Sequence, residues 1–362
     1  SAFPELLGVC ADGLWVRRRR WLLADVVGEP ELAPTDRERE RARAAARAPL
    51  TGDEPEPRRV LSAVALAHVR HARIVSAGAL ENYSDCPVRW LVEGQLSPAP
   101  MTPDPEPLVR GSLIHAVLER LISDLDGPIT PTSLPAAQSM LEGLIAELSE
   151  TVAGQLGVGE PDVVRAGALC AVEADLRRYL EHEAAGGREW KPFGLELRFG
   201  FDQEGSLPAL TLGNGSPAVL VRGVIDRVDV DGDGHALVRD YKSGARRADQ
   251  PVARWNVDRR LQVALYMLVA RELLGLDVVA GIYQPLRGDD LRARGVFVKG
   301  SELGAGVHDR DARAPEEVDA ELADAAARAI ELAARLRSGE LTPCPSTCSR
   351  DGCAYPSICR SR

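Results

Sequence analysis

Asp226, Asp240 and Lys242 sit within one stretch, Gly223-Val-Ile-Asp226-Arg-Val-Asp-Val-Asp-Gly-Asp-Gly-His-Ala-Leu-Val-Arg-Asp240-Tyr-Lys242-Ser-Gly244. Two carboxylates can hold a hard divalent cation through oxygen. A lysine beside that cation can orient or deprotonate a water, or stabilise a charged transition state. Asp…Asp-x-Lys is therefore a composition suited to metal-assisted cleavage of phosphodiesters. For these groups to meet, the stretch must fold as a hairpin. Ala218 to Val230 is rich in Val, Leu and Ile, Asp231-Gly232-Asp233-Gly234 supplies a turn, and Ala236 to Tyr241 resumes the strand pattern. Side chains two apart on a strand share a face, so Asp240 and Lys242 point the same way, and Asp226 faces them if the register allows.

Other readings of the stretch compete. Asp229-x-Asp231-x-Asp233-Gly234 with Asp240 in the twelfth place nearly matches an EF-hand calcium loop. That loop needs helices on both sides and prefers Glu last, whereas here the flanks are β-rich and the last residue is Asp. A surface hairpin with solvated charges is the plainer alternative. Against it stands composition: the chain has three lysines, Lys191, Lys242 and Lys299, and many arginines.

Further groups lie elsewhere. His115 and Glu119, in Arg110-Gly-Ser-Leu-Ile-His115-Ala-Val-Leu-Glu119, share one helical face. An imidazole beside carboxylates is a plausible divalent-metal ligand, and a surface polar pair is the alternative. Trp255 to Leu274 is predicted as one helix, with Gln262 and Tyr266 one turn apart and Arg259 and Arg260 available to phosphate; a helix packed on the sheet with exposed arginines fits equally well. Glu196 lies in an alternating segment that opens the sheet and reads equally well as a surface residue. Among seven cysteines, Cys344, Cys348, Cys353 and Cys359 crowd into the last nineteen residues. Such a cluster beside Gly and Pro can wrap a metal centre through thiolates. Arg17 to Arg20 between Trp15 and Trp21 combine charge with aromatics, although a solvated helix face explains them as well.

The elements that must position these groups form a mixed pattern. Helical segments are predicted before and after a strand-rich middle, with two or three amphipathic helices between 130 and 185, a buried strand from Val278 to Leu286, another at Val296 to Val298, and a long helix from Pro315 to Arg337. Pro98 to Pro107 reads as an extended linker. The 362 residues, 45% of them hydrophobic, suffice for one large domain or two ordinary ones. A net charge of −10 argues against broad nonspecific binding of nucleic acid but leaves room for a local basic groove. No run of 18 apolar residues and no secretory signal is present, so a cytoplasmic location and no membrane partner are expected. The first residue is Ser, compatible with a processed, tagged or excised chain.

The ordered set resembles the PD-(D/E)XK nucleases of the RecB/AddB-like branch. Gly-x-Leu-Ile-His115 is similar to their first motif, Gly-Val-Ile-Asp226 and Arg-Asp240-Tyr-Lys242 to their second and third, and Gln262-x-x-x-Tyr266 to their last. Ser76-x-x-x-Leu-x-x-Tyr-x-x-Cys86-Pro with Cys348-x4-Cys353-x5-Cys359 resembles the four-cysteine motif of AddB-type nucleases. The resemblance covers roughly residues 76–362, with 1–75 left as a helical extension and about 121–188 as a helical insertion. It implies an α/β fold of the restriction-endonuclease kind, a central mixed sheet flanked by helices. It implies Mg²⁺ or Mn²⁺ held by His115, Asp226 and Asp240, with Lys242 acting on water and with Gln262 and Tyr266 bracing the site. It implies a [4Fe–4S] cluster on Cys86, Cys348, Cys353 and Cys359, stapling the ends of the domain. Structural zinc is the alternative, and the family's usually shorter first gap leaves Cys344 as a substitute ligand. The family also carries Glu at strands such as that of Glu196. The implied activity is a DNA nuclease, an exonuclease of repair or recombination, with DNA and a helicase subunit or domain as partners. A catalytically silent DNA-end-binding module is the other reading. No Gly-x4-Gly-Lys-[Ser/Thr] loop occurs in the sequence.

Overall fold

The computed structural model describes most of 60–98, 106–156, 162–344 and 355–359, together with Cys348 and a few positions between 35 and 43. The arginine run at 17–20, most of the 1–59 segment, linker residues 99–105 and Cys353 lie outside the described residues. The chain divides into Ser1–Arg58 and Arg59–Arg362. The boundary expected at 75/76 falls inside the second unit, which is the one described below.

The unit opens with α1 (Ala63–Ala67), β1 (Ile74–Ser76), α2 (Ala77–Asp85) and the short α3 (Pro87–Trp90), followed by a π-helical turn to Leu96. Ser76 caps α2 by accepting from Ala79 N at 3.2 Å, as its side chain predicts. Three long helices follow: α4 (Glu106–Leu125), α5 (Leu134–Leu156) and α6 (Asp162–Ala184). Then come β2 (Lys191–Phe199), β3 (Leu210–Leu212), β4 (Val219–Val230), β5 (His235–Lys242), α7 (Gln262–Glu272), β6 (Asp277–Pro285), β7 (Arg294–Val298), β8 (Ala312–Arg313), α8 (Pro315–Arg337) and α9 (Pro356–Cys359).

The strands form one mixed sheet of order β1-β4-β5-β6-β7-β8, with β2 and β3 also on β4. β4 and β5 are the expected antiparallel hairpin, and β5 pairs in parallel with β6 after a crossover through α7. The short β1 and β3, which the sequence pattern did not mark, flank the first residues of β4. One face of the sheet packs on α2, α7 and α8 through residues such as Leu80, Val263, Met267 and Leu332. The other face meets α4, α5 and α6 through Leu118, Leu141, Leu176 and Tyr241. Burying each such aliphatic side chain stabilises by about 1.5–3 kcal/mol. Gly281 lets α7 lie directly on β6, because a Cβ there would sit 2.6 Å from Val263 Cγ1. The helix expected over Trp255–Leu274 is shorter: Val252–Arg254 is a 3-10 turn, 255–261 is non-helical, and α7 begins at Gln262.

Candidate active site

The face alternation breaks where the chemistry lies. Residues two apart on a regular strand share a face. In β2, however, Leu195 packs in the core of α4–α6 and Leu197 in the opposite core. Between them Glu196 adopts φ 45°, a left-handed conformation that costs a non-glycine residue about 1–2 kcal/mol. In β4, Ile225 and Val228 are three apart yet share one core, so that strand also reverses at Asp226–Arg227. Regular hairpin pairing with β5 starts only at Arg227. The two reversals aim Glu196 and Asp226 at the same place.

There they meet His115 from the middle of α4. His115 Nδ1 lies 3.1 Å from Glu196 Oε1 and 3.5 Å from Asp226 Oδ1. Tyr241 N donates to Asp226 Oδ2 at 2.6 Å, and the Tyr241 ring stands edge-on to His115 with centroids 6.0 Å apart. Asp240 is 1% exposed and ion-pairs with Lys242. Lys242 Nζ donates to Gln262 Oε1 at 3.0 Å, and Gln262 Nε2 donates to Tyr266 Oη at 3.1 Å. The Lys242 ammonium also lies 5.5 Å from the centroid of the Tyr283 ring. Gly223 leaves room for this arrangement, since a Cβ would come within 3.1 Å of the Tyr266 ring and 2.9 Å of Phe199. One layer of helices thus supplies His115 and the other supplies Gln262 and Tyr266, with the carboxylates and lysine between them.

The electrostatics are strained in one direction. Burial, with the charge of Asp240 next, pushes Asp226 up to about 8 against the pull of His115. Burial likewise raises Asp240 despite Lys242. Burial lowers His115, but its hydrogen bond to Glu196 and the charges of Asp226, Glu196 and Asp240 outweigh this, and its pKa stands at about 9. Carboxylates crowded out of water in this way are a site short of positive charge. Ligand atoms of His115, Glu196 and Asp226 all fall within 4.8 Å of one another. One imidazole nitrogen and two carboxylate oxygens suit a divalent cation such as Mg²⁺ or Mn²⁺. The sequence placed His115, Asp226 and Asp240 in this role. The geometry adds Glu196 to the group and sets Asp240 beside it, held by Lys242. Glu119 lies exposed one turn along α4, apart from the cluster.

Arg259 and Arg260 do not share the helix with Gln262. Arg260 pairs with Glu81 at 3.2 Å, and Arg259 approaches Asp85 and Cys344. Glu81, which sequence reasoning missed, accepts from Leu261 N and Gln262 N. The EF-hand-like segment is the turn between β4 and β5: Asp231 accepts from the N–H groups of Asp233 and His235, both at 2.9 Å. Asp231, Asp233 and His235 form a second cluster of possible ligands, flanked by strands rather than helices.

At the far end of α2, Cys86 packs with Val88 and Cys359, and Cys344 lies against them. Tyr83 Oη donates to Glu340 O at 2.8 Å, which ties the segment after α8 to α2 and brings Cys344 to Cys86. Cys348 is half-buried, and Cys353 lies outside the described residues.

A mixed sheet whose central hairpin carries Asp226 and Asp240-x-Lys242, flanked by helices that bring a histidine and a Gln-x-x-x-Tyr pair, defines a restriction-endonuclease-like α/β fold. The chain belongs to the PD-(D/E)XK nuclease superfamily, in its RecB/AddB-like branch: the model of that superfamily matches residues 74–360. Two curated relatives are each named as a subunit of an ATP-dependent helicase/deoxyribonuclease. That of Symbiobacterium thermophilum is 28% identical over 238 residues, 59% of this chain and 19% of the relative. That of Leuconostoc citreum is 26% identical over 224 residues, 58% of this chain and 18% of the relative. The chain therefore spans less than a fifth of the length of these relatives. Among the described residues no helix is long and apolar enough to cross a membrane.

Proposed function

We propose that this chain hydrolyses DNA phosphodiesters in a reaction that needs a divalent metal, and that it is the nuclease portion of a helicase–nuclease acting in repair or recombination. The observation that carries the reading is the convergence of His115, Glu196 and Asp226 beside Asp240, Lys242, Gln262 and Tyr266. In this reading His115, Glu196, Asp226 and Asp240 would hold Mg²⁺ or Mn²⁺, with the backbone beside Asp240 as a further oxygen donor. The bound cation lowers the pKa of water and neutralises phosphate charge. Lys242, steered by Gln262 and by the Tyr283 ring, holds the attacking water or the phosphate oxygen. Asp240 holds Lys242 in place through their ion pair. Tyr266 orients the Gln262 amide so that its oxygen faces Lys242. Recognition runs through phosphate rather than base edges, so cleavage is insensitive to sequence. Action on DNA and a helicase partner are supported by the name that the curated relatives carry, and the cut is read as exonucleolytic.

We further propose that the cysteines hold a [4Fe–4S] cluster through Cys86, Cys348, Cys353 and Cys359. The packing of Cys344 against Cys86 and Cys359 favours Cys344 as an alternative ligand. Sulfur ligands from both ends of the unit suit such a cluster, and equally zinc. Iron and zinc analysis of protein purified without air separates the two.

The test of activity is cleavage of end-labelled linear DNA, single- and double-stranded, beside closed circles, with Mg²⁺ or Mn²⁺. Wild type cuts and Lys242→Ala does not; a preference for linear over circular DNA marks exonuclease action. Equal cutting by both proteins would remove Lys242 from the mechanism.

A further inference from the structure

We propose that Glu81 is a positioning residue for Lys242, acting through Gln262. The inference rests on the nuclease reading for one of its two readouts and is independent of it for the other.

The first turn of a helix leaves N–H groups without intrahelical acceptors. At α7 the residue in the capping place is Leu261, whose side chain offers no acceptor. The cap comes instead from α2. Glu81 Oε1 accepts from Leu261 N at 2.7 Å and from Gln262 N at 2.8 Å, and Oε2 pairs with Arg260 Nη1 at 3.2 Å. Glu81 is 9% exposed, so its carboxylate meets these donors largely out of water, where charged hydrogen bonds are strong. A negative group at a helix N-terminus is also favoured by the helix dipole.

The residue so fixed is the one that touches the lysine. Gln262 receives Glu81 at its backbone and Lys242 at its side chain, so the path from Glu81 to Lys242 Nζ runs through one residue. The loop before α7 is tied within itself, with Arg260 N donating to Trp255 O at 2.7 Å and Trp255 Nε1 to Gln250 O at 2.9 Å, but Glu81 alone among the described side chains accepts from Leu261 N and Gln262 N. Arg259 sits at φ 57°, and its Nη2 is 3.5 Å from Cys344 Sγ. Removing the Glu81 carboxylate leaves Arg260 without this partner and two N–H groups at the start of α7 without a cap. The first turn then frays, and Gln262 no longer holds the Lys242 ammonium in one place.

The experiment compares wild type, Glu81→Ala and Glu81→Gln by steady-state cleavage of linear DNA with Mn²⁺, at a temperature well below the melting point of each protein. Amide hydrogen exchange is measured on the same samples. Glu81→Ala is expected to lower kcat roughly thirtyfold, since small misplacements of a catalytic group cost about that much, with KM for DNA little changed. Glu81→Gln keeps an acceptor oxygen and recovers most of the loss. Exchange at Leu261 and Gln262 speeds up roughly tenfold or more in Glu81→Ala, with the amides of β5 unchanged. A kcat for Glu81→Ala within about twofold of wild type overturns the proposal, because a displaced group costs more than that. So does a loss that Glu81→Gln fails to restore and that comes with faster exchange throughout the sheet. If wild type cuts no DNA, the nuclease reading fails instead, and exchange alone decides: unchanged protection at Leu261 and Gln262 sinks the role of Glu81. If Glu81→Ala does not fold, Glu81→Asp, whose shorter carboxylate falls short of the N–H groups, takes its place under the same criteria: a kcat within about twofold of wild type overturns the proposal.

Discussion

β4 and β5 carry two buried charge clusters within a few residues of each other, and they are built on opposite principles. In one, Arg227 and Arg239 meet Asp229 and Glu183. Arg227 and Asp229 are both 0% exposed, with Nε to Oδ1 at 2.5 Å; Arg239 Nε reaches Asp229 Oδ2 at 2.6 Å, and Arg227 Nη2 reaches Glu183 Oε1 at 2.8 Å. Charges are matched, Tyr179 and Tyr241 supply further hydrogen bonds, and α6 is bolted to the hairpin. In the other, carboxylates of Glu196, Asp226 and Asp240 share one imidazole and one ammonium. Asp226 and Asp240 are pushed up, whereas Glu183, despite its burial, is held below its ordinary range by Arg227, Arg239 and Tyr179. A compensated cluster is part of the scaffold. The uncompensated one, with strained backbone beside it, is the cluster proposed above to take a divalent cation.

The contrast is tested first in the matched cluster. Arg227→Met leaves Asp229 and Glu183 buried without their shared partner, and is expected to cost about 3–5 kcal/mol of stability, read by chemical denaturation. Asp240→Asn in the other cluster should do the reverse: DNA cleavage falls roughly a hundred- to a thousandfold, while the metal-free protein is no less stable than wild type. Equal loss of stability in both variants would erase the distinction.

Acid sharpens it further. Glu183 has a depressed folded pKa, so its stabilising contribution is present above the ordinary carboxyl range and is lost as pH falls through the folded value. Glu183→Gln should therefore be less stable than wild type by about 1–3 kcal/mol at pH 7, with the gap closing as the pH is lowered, by urea denaturation across pH 3–7. A gap that widens in acid would contradict the assignment. The smallest effect is expected at the periphery. Tyr266→Phe removes the hydroxyl that accepts from Gln262, and should slow cleavage by roughly three- to tenfold while lowering the melting temperature by no more than about 4 °C, since one hydrogen bond to a neutral group is worth about 1 kcal/mol.

The hairpin was legible because every local signal agreed: β-branched strands, an Asp-Gly turn and the two-residue spacing of Asp240 and Lys242. The approach of His115 to Asp226 was legible only through the resemblance, since residues on different elements have no common period. Glu196 was ambiguous for a physical reason. Alternation assigns a side chain to one face, and the left-handed φ at Glu196 overrides it. The start of α7 was misplaced because apolar residues such as Val252, Trp255 and Leu261 are buried in turns, and because the cap arrives from Glu81. The Arg227–Glu183 bond could not be seen in a helix whose charges look like an ordinary solvated face. Short strands such as β1 and β3 carry too few residues to show a period.

The central claim is that the unbalanced cluster is a cation site. The direct measurement is anomalous diffraction from crystals soaked in Mn²⁺. The account predicts a manganese peak bounded by His115, Glu196 and Asp226, next to Asp240. A peak only at Asp231, Asp233 and His235, with none beside Asp226, would contradict it.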